Sequence, residues 1–303
     1  MSALFASLFL AAGAAAGVWL FALVLQWRRL KRAPAITEET RRAGLDGTFV
    51  NADPYRMFCR SSGASDRHRS RLPVILVHGL VVSSRYMEPL AKALSPYFRV
   101  IAPDLPGFGE SEKPRQALDL ASLANSLAAW LKACGVERAI LIGNSFGCQV
   151  LAEFAVRHPQ FVDRLVLQGP TVDPEARSLP VQIWRVLVNG RIERSGMGRI
   201  ARIDYAKAGI ATAVATMRVL IRDKIEKKLP LIAAPTLVVR GTRDPVVPQQ
   251  WAERAAGLLP AGQLVLVDGG AHTLNYTYPD GMAAAILPFL LAEPERLHRG
   301  AQE

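Results

Sequence analysis

Residues 143–147 read Gly143-Asn144-Ser145-Phe146-Gly147, between the apolar run Ala139-Ile140-Leu141-Ile142 and a stretch of helical spacing from Gln149 to Arg157. A serine hydroxyl is a weak nucleophile at its ordinary pKa. It becomes effective when the chain holds it out on a sharp turn beside a base, with N–H groups aimed where an oxyanion will form. Gly-x-Ser-x-Gly between a strand and a helix is the pattern of such a turn, the nucleophile elbow. The two glycines have a steric reason, because a Cβ at either position would strike the neighbouring strand or helix. Phe146 opens the following helix and offers its backbone N–H to an oxyanion.

A serine nucleophile needs a base within hydrogen-bond reach, and the base needs an orienting acid. Of the five histidines, His68 lies in a basic polar loop, His158 precedes Pro159 at a helix end, and His298 is in the charged tail; all three read as surface residues. His78 follows the apolar run Val74–Val77, and His272 follows Leu264–Val267. Both therefore sit at carboxyl ends of strands, where open α/β sheets place their sites. His272 closes the loop Asp268-Gly269-Gly270-Ala271-His272, whose glycines let a ring be aimed, and it is taken as the base. The acid is Asp244, in Gly241-Thr242-Arg243-Asp244, after the run Thr236–Val239. Asp173, after Leu165-Val166-Leu167, is the alternative. Asp104 and Ser111, in Asp104-Leu105-Pro106-Gly107-Phe108-Gly109-Glu110-Ser111, read as turn residues that satisfy backbone groups.

The elements that must position these residues alternate. Thr48–Val50 and Tyr55–Cys59 form an opening hairpin. Strands follow at 74–77, 99–102, 140–142, 165–167, 236–239 and 264–267, interleaved with helices at 87–94, 118–133, 149–157, 249–259 and 280–292. Short apolar strands alternating with helices predict an α/β fold, with a mostly parallel central sheet flanked by helices on both faces. Residues 171–232 break the alternation with helix-like segments (Val181–Val188, Ala211–Ile221) and no strand, and read as a helical cap. The expected organisation is a core of 47–170 and 233–295, with the cap inserted between them.

Charge is concentrated in the insertion. The chain carries a net charge of +11, and between Arg177 and Pro230 there are twelve basic residues against four acidic ones, a net +8. This is either a solvated helical surface or a cap resting on anionic headgroups. Neither zinc-finger spacing nor an RNA-recognition run is present, so nucleic acid is not an expected partner. Cys59, Cys134 and Cys148 have no metal or redox spacing and suit a reducing compartment; Cys148 reads as a packing residue.

Residues 2–27 contain no charged side chain. As a helix, about 23 residues span about 35 Å, enough for a hydrocarbon core. Trp19 and Trp27 lie toward its carboxyl end, and Arg28, Arg29, Lys31 and Arg32 follow. Residues 1–27 are thus expected to form a single transmembrane anchor and 28–46 a basic, polar tether. The positive flank places the catalytic part on the cytoplasmic side. The rival reading is a cleaved signal and an exported enzyme.

The order Ser145, Asp244, His272, together with His78-Gly79, the 104–111 loop, Gly241–Asp244 and Gly270-Ala271-His272, resembles the α/β-hydrolase superfamily. The resemblance is to its capped esterase and C–C hydrolase branch and runs from about Thr48 to Leu291. It implies that Ser145 attacks a carbonyl, His272 carries the proton and Asp244 holds the imidazole. It implies further that Leu80 joins Phe146 in the oxyanion hole, and that neither metal nor organic cofactor is needed. After His78-Gly79 the chain reads Leu80-Val81-Val82, without the second glycine of many relatives, which weakens the C–C reading. Serine as nucleophile speaks against dehalogenase and epoxide hydrolase chemistry. The resemblance implies hydrolysis of carboxylic esters, and the anchor and basic cap point to acyl or lipid-like ones. The alternatives are a C–C bond hydrolase, an acyltransferase, or a catalytically silent membrane-bound binding protein.

Overall fold

Short β-branched runs bounded by glycine, proline and polar residues are too brief for helices and must pair with one another. In the computed structural model, which describes residues 19–63, 71–193 and 196–293, they do so in one eight-stranded sheet. The strands are β1 (Leu45–Ala52), β2 (Tyr55–Ser62), β3 (Val74–Val77), β4 (Val100–Pro103), β5 (Ala139–Asn144), β6 (Val162–Gln168), β7 (Thr236–Gly241) and β8 (Gly262–Val267). Their spatial order is β1-β2-β4-β3-β5-β6-β7-β8. The β1–β2 hairpin is antiparallel and borders β4 antiparallel, while β4 to β8 pair in parallel.

The helices are α1 (residues 19–31), α2 (Glu38–Arg42), α3 (Glu88–Leu94), α4 (Leu120–Ala133), α5 (Phe146–Arg157), α6 (Leu179–Ile192), α7 (Met197–Ala208), α8 (Ile210–Arg222), α9 (Gln249–Gly257), α10 (Leu274–Thr277) and α11 (Pro279–Leu291). Because strand side chains alternate faces, the central strands feed two cores. Ile75, Val77 and Leu141 pack with α4, α5 and α9 on one face. Val74, Leu76, Ile140 and Ile142 pack with α3 and α11 on the other. All four residues of β3 are buried, as a parallel strand covered on both faces requires.

Among its described residues the cap holds helices α6, α7 and α8 and no strand, and one of these helices was not legible in the sequence. α7 buries Ile203, Asp204 and Ala206, so its inner face is partly charged and lacks an apolar stripe. The 28–46 segment makes hydrogen bonds to the core and the cap. The Pro34 carbonyl accepts from Arg85 Nη2 at 2.6 Å, and the Ala33 carbonyl from Lys207 Nζ at 2.8 Å. Thr40 Oγ1 donates to Glu88 Oε2 at 2.9 Å. Of the expected anchor, residues 1–18 lie outside the described residues. Among the described residues, no helix is long and apolar enough to cross a membrane.

Candidate active site

Ser145 sits between β5 and α5 with φ at +53°, the left-handed region that side chains seldom adopt. The turn is held by the Ser145 N–H donating to the Gln168 carbonyl at 2.9 Å and by the Cys148 N–H donating to the Ser145 carbonyl at 2.9 Å. The glycines around it are obligatory. A Cβ on Gly143 would stand 2.8 Å from the backbone of Gly147, and one on Gly147 would stand 2.5 Å from the Val77 carbonyl oxygen. The helix can therefore approach β3 and β5 only with glycine at both places.

Asp244 lies just past β7, and His272 just past β8. His272 Nδ1 is 2.8 Å from Asp244 Oδ2, with both side chains buried. The other carboxylate oxygen accepts from the Val246 and Val247 N–H groups at 2.7 and 3.0 Å, which fixes the plane of the acid. With Nδ1–H committed to the carboxylate, Nε2 is the basic atom. Burial works against the charged imidazolium. The charge of Asp244, its hydrogen bond and the charge of Glu193 outweigh that penalty, so His272 is held above its ordinary 6.5. Ser145 and His272 both line a cavity of about 600 Å³ beneath the cap.

The loop carrying His272 is clamped from two sides. From the core, Gln168 Nε2 and Asn144 Nδ2 donate to the His272 carbonyl at 2.7 and 3.3 Å. Asn144 is itself held by the Tyr86 hydroxyl at 2.9 Å. From the cap, Asn189 Oδ1 accepts the His272 N–H at 3.2 Å, and Glu193 Oε1 accepts the Thr273 N–H at 2.9 Å. Gly169, at φ +59°, leaves room for the ring, since a Cβ there would lie 2.9 Å from His272 Cε1. Tyr86, Gln168, Gly169, Asn189 and Glu193 escaped sequence reasoning. Only Gly169, at the end of an apolar strand, carried a local signal.

The rival residues serve other ends. His78 is buried, and its Nε2 accepts the Leu105 N–H at 3.0 Å while Nδ1 lies 2.9 Å from the Gly79 carbonyl. Burial pushes its pKa down, so it is a neutral brace for the 104–111 loop and no base. Asp173 accepts from the Glu175 N–H at 3.0 Å and from Arg185 Nη2 at 3.1 Å, tying α6 to the core, whereas Asp244 is the acid placed against the imidazole. Asp104 receives the Ser84 and Glu110 N–H groups at 2.6 and 2.8 Å, a structural role. Leu80 lines the cavity with Ser145, and Phe146 is the first residue of α5. The position without a second glycine is strained: Val81 follows Leu80 with φ at +55°, where a β-branched residue is an outlier. Among the described residues, no three His, Cys, Asp or Glu side chains group as metal ligands would.

An eight-stranded sheet with a serine elbow and an acid–histidine pair at the carboxyl ends of its strands defines an α/β hydrolase. A family model described as alpha/beta hydrolase fold matches residues 73–193, and one described as TAP-like protein matches 213–297. The 2-hydroxy-6-oxo-2,4-heptadienoate hydrolase of Pseudomonas putida is 28% identical over 274 residues, covering 81% of this chain and 99% of its own. The structure of a serine hydrolase involved in carbazole degradation superposes with a TM-score of 0.69 at 26% identity, over 81% of this chain and 98% of that one. A membrane phospholipase A, a bacterial virulence factor, has the same fold over 100% of both chains, with a TM-score of 0.68 at 24% identity. The chain belongs to the α/β-hydrolase superfamily, and its activity is that of a hydrolase of this kind.

Proposed function

We propose that this protein is a serine hydrolase cleaving carboxylic esters, acyl or lipid-like ones in particular. The observation that carries the reading is the meeting of Ser145, at positive φ, and the Asp244-paired His272 in one cavity. Ser145 Oγ attacks the ester carbon as His272 Nε2 takes its proton. The tetrahedral oxyanion is met by the N–H groups of Leu80 and Phe146. Collapse expels the alcohol, which takes the proton from His272 and leaves an acyl-serine. Water then attacks by the same route and releases the acid. Asp244 fixes the tautomer and stabilises the imidazolium, so the triad supplies the chemistry without a cofactor. Largely apolar walls, with Leu80, Val186, Met197, Met217 and Leu220 among them, favour an acyl chain in the cavity.

The apolar residues 2–27 and the basic residues that follow support a membrane anchor with the catalytic part in the cytoplasm. The likeness to the heptadienoate hydrolase favours a second reading, hydrolysis of a C–C bond beside a carbonyl with the same triad. A panel of p-nitrophenyl esters and vinylogous diketones, with and without an acceptor alcohol, separates ester hydrolysis, C–C cleavage and acyl transfer. Ester turnover lost in Ser145→Ala supports the proposal; turnover of diketones alone refutes it. Absence of fluorophosphonate labelling at Ser145 favours the catalytically silent, membrane-bound binding protein.

A further inference from the structure

Helix α6 is built inside out. A surface helix ordinarily turns its apolar stripe to the protein and its polar face to water. Here Gln182 and Asn189 are the buried residues of the helix. Together with Glu193 they follow the 182-189-193 spacing of one face and line the cavity. Gln182 Nε2 donates to the Ala176 carbonyl at 2.7 Å, and Asn189 and Glu193 hold the His272 loop. The opposite face presents Val181, Trp184 and Leu187 at i, i+3 and i+6, with Ile183 beside them. Trp184 is 64% exposed and Leu187 55%. Isolated exposed apolar residues are ordinary. A stripe of them on a helix whose polar side chains are occupied inside is the pattern of a helix with an apolar partner outside.

Charge says which partner. Exposed Arg191 continues the stripe, and exposed Arg199 and Arg202 line the cavity on the next helix, within a cap whose residues 171–232 carry a net charge of +6. A second copy of the chain would press two such caps together against their own repulsion. An anionic bilayer satisfies both features: apolar side chains enter the headgroup boundary, tryptophan settles at the interface, and arginines meet lipid phosphates. Helix α1 borders the same cap, since Leu23, Trp27 and Leu30 share a groove with Ala201, Arg202 and Tyr205 of α7. We propose that the outer face of α6 is a docking surface for an anionic lipid bilayer, a membrane contact separate from the N-terminal segment. It leaves the cavity's polar wall intact while bringing its cover to the lipid.

The test reads the environment of position 184 in the full-length chain and needs no turnover, so it stands or falls apart from the ester reading. Cys134→Ser with Trp184→Cys is labelled with an environment-sensitive nitrobenzoxadiazole and mixed with phosphatidylcholine vesicles, with or without phosphatidylglycerol. The expected result is a blue shift and shielding from aqueous iodide when phosphatidylglycerol is present. The same label in Tyr97→Cys, on the core, stays accessible. Iodide access at 184 on both vesicles overturns the proposal. So does shielding that follows protein concentration and ignores the lipid, which would assign the stripe to a second copy. As an independent arm, Ile183→Ser, Trp184→Ser and Leu187→Ser combined should lower turnover of a vesicle-borne ester by about tenfold or more and leave a soluble ester's rate unchanged. Equal vesicle turnover in that variant also overturns the proposal.

Discussion

Asn189→Ala separates the cap's hold on the base from everything else the cap does. The His272 N–H is buried and donates to Asn189 Oδ1 at 3.2 Å. An orphaned buried N–H costs about 1–3 kcal/mol. The bond is long, and the amide faces a cavity that can admit water, so the low end applies, about 1 kcal/mol. That energy disfavours the loop position in which His272 meets both Asp244 and the cavity. The equilibrium constant for that position should fall roughly fivefold, and kcat by up to the same factor; an imidazole displaced by a full 1 Å would cost roughly a hundredfold. The loss should appear in kcat for p-nitrophenyl butyrate, with KM within about twofold and the melting temperature almost unmoved, because Gln168 still holds the His272 carbonyl at 2.7 Å. Asn189→Asp keeps an acceptor and should recover most of kcat above the titration of His272. A kcat equal to wild type in Asn189→Ala, or a loss that merely tracks unfolding, would refute this role for the cap.

Other consequences are as direct. Gly169→Ala should lower kcat with little change in KM, because its Cβ would stand 2.9 Å from His272 Cε1; steady-state kinetics at matched melting temperatures check it. The rate needs neutral His272, which is held above 6.5, so kcat/KM should fall as pH drops through a midpoint above that value. Glu193→Gln removes one of the two carboxylate charges that raise His272, leaving Asp244, with Arg199 and Arg202 still facing the cavity, and should move the midpoint down in a pH–rate profile. Asp204 is pushed up from 3.8 to about 7, first by burial and then by the charge of Asp104. The folded state therefore retains a proton that the unfolded chain releases, and stability should fall from about pH 4 to about pH 7 and then level off. Asp204→Asn should flatten that fall in melting temperature against pH; an unchanged slope would remove Asp204 as its source.

What could be read without coordinates was what chain-local physics dictates. The alternation at Val74–Val77 and Ala139–Ile142 announced strands buried on two faces, and the elbow glycines announced a helix packed too closely for any Cβ. The choice of His272 over His78 rested on loop composition; in the structure the Leu105 N–H, just past the neighbouring strand β4, occupies His78 Nε2. Helix α7 was missed because it buries Asp204 beside Ile203 and Ala206, which blurs the apolar period. Asn189 and Glu193 were invisible because their partners lie about eighty residues away. A helix that faces inward with amides and a carboxylate looks, in sequence, like an ordinary polar one facing water.

The central measurement is the site of attack by a fluorophosphonate on the full-length protein, located by peptide mass spectrometry and paired with p-nitrophenyl ester turnover. Wild type should be labelled at Ser145. Ser145→Ala should lose the label and at least about a thousandfold in kcat while keeping its melting temperature, because the hydroxyl supplies the covalent route and contributes nothing to the core. Label on another residue, or ester turnover surviving in Ser145→Ala, would contradict the assignment of Ser145 as nucleophile and of Asp244 and His272 as the groups that serve it.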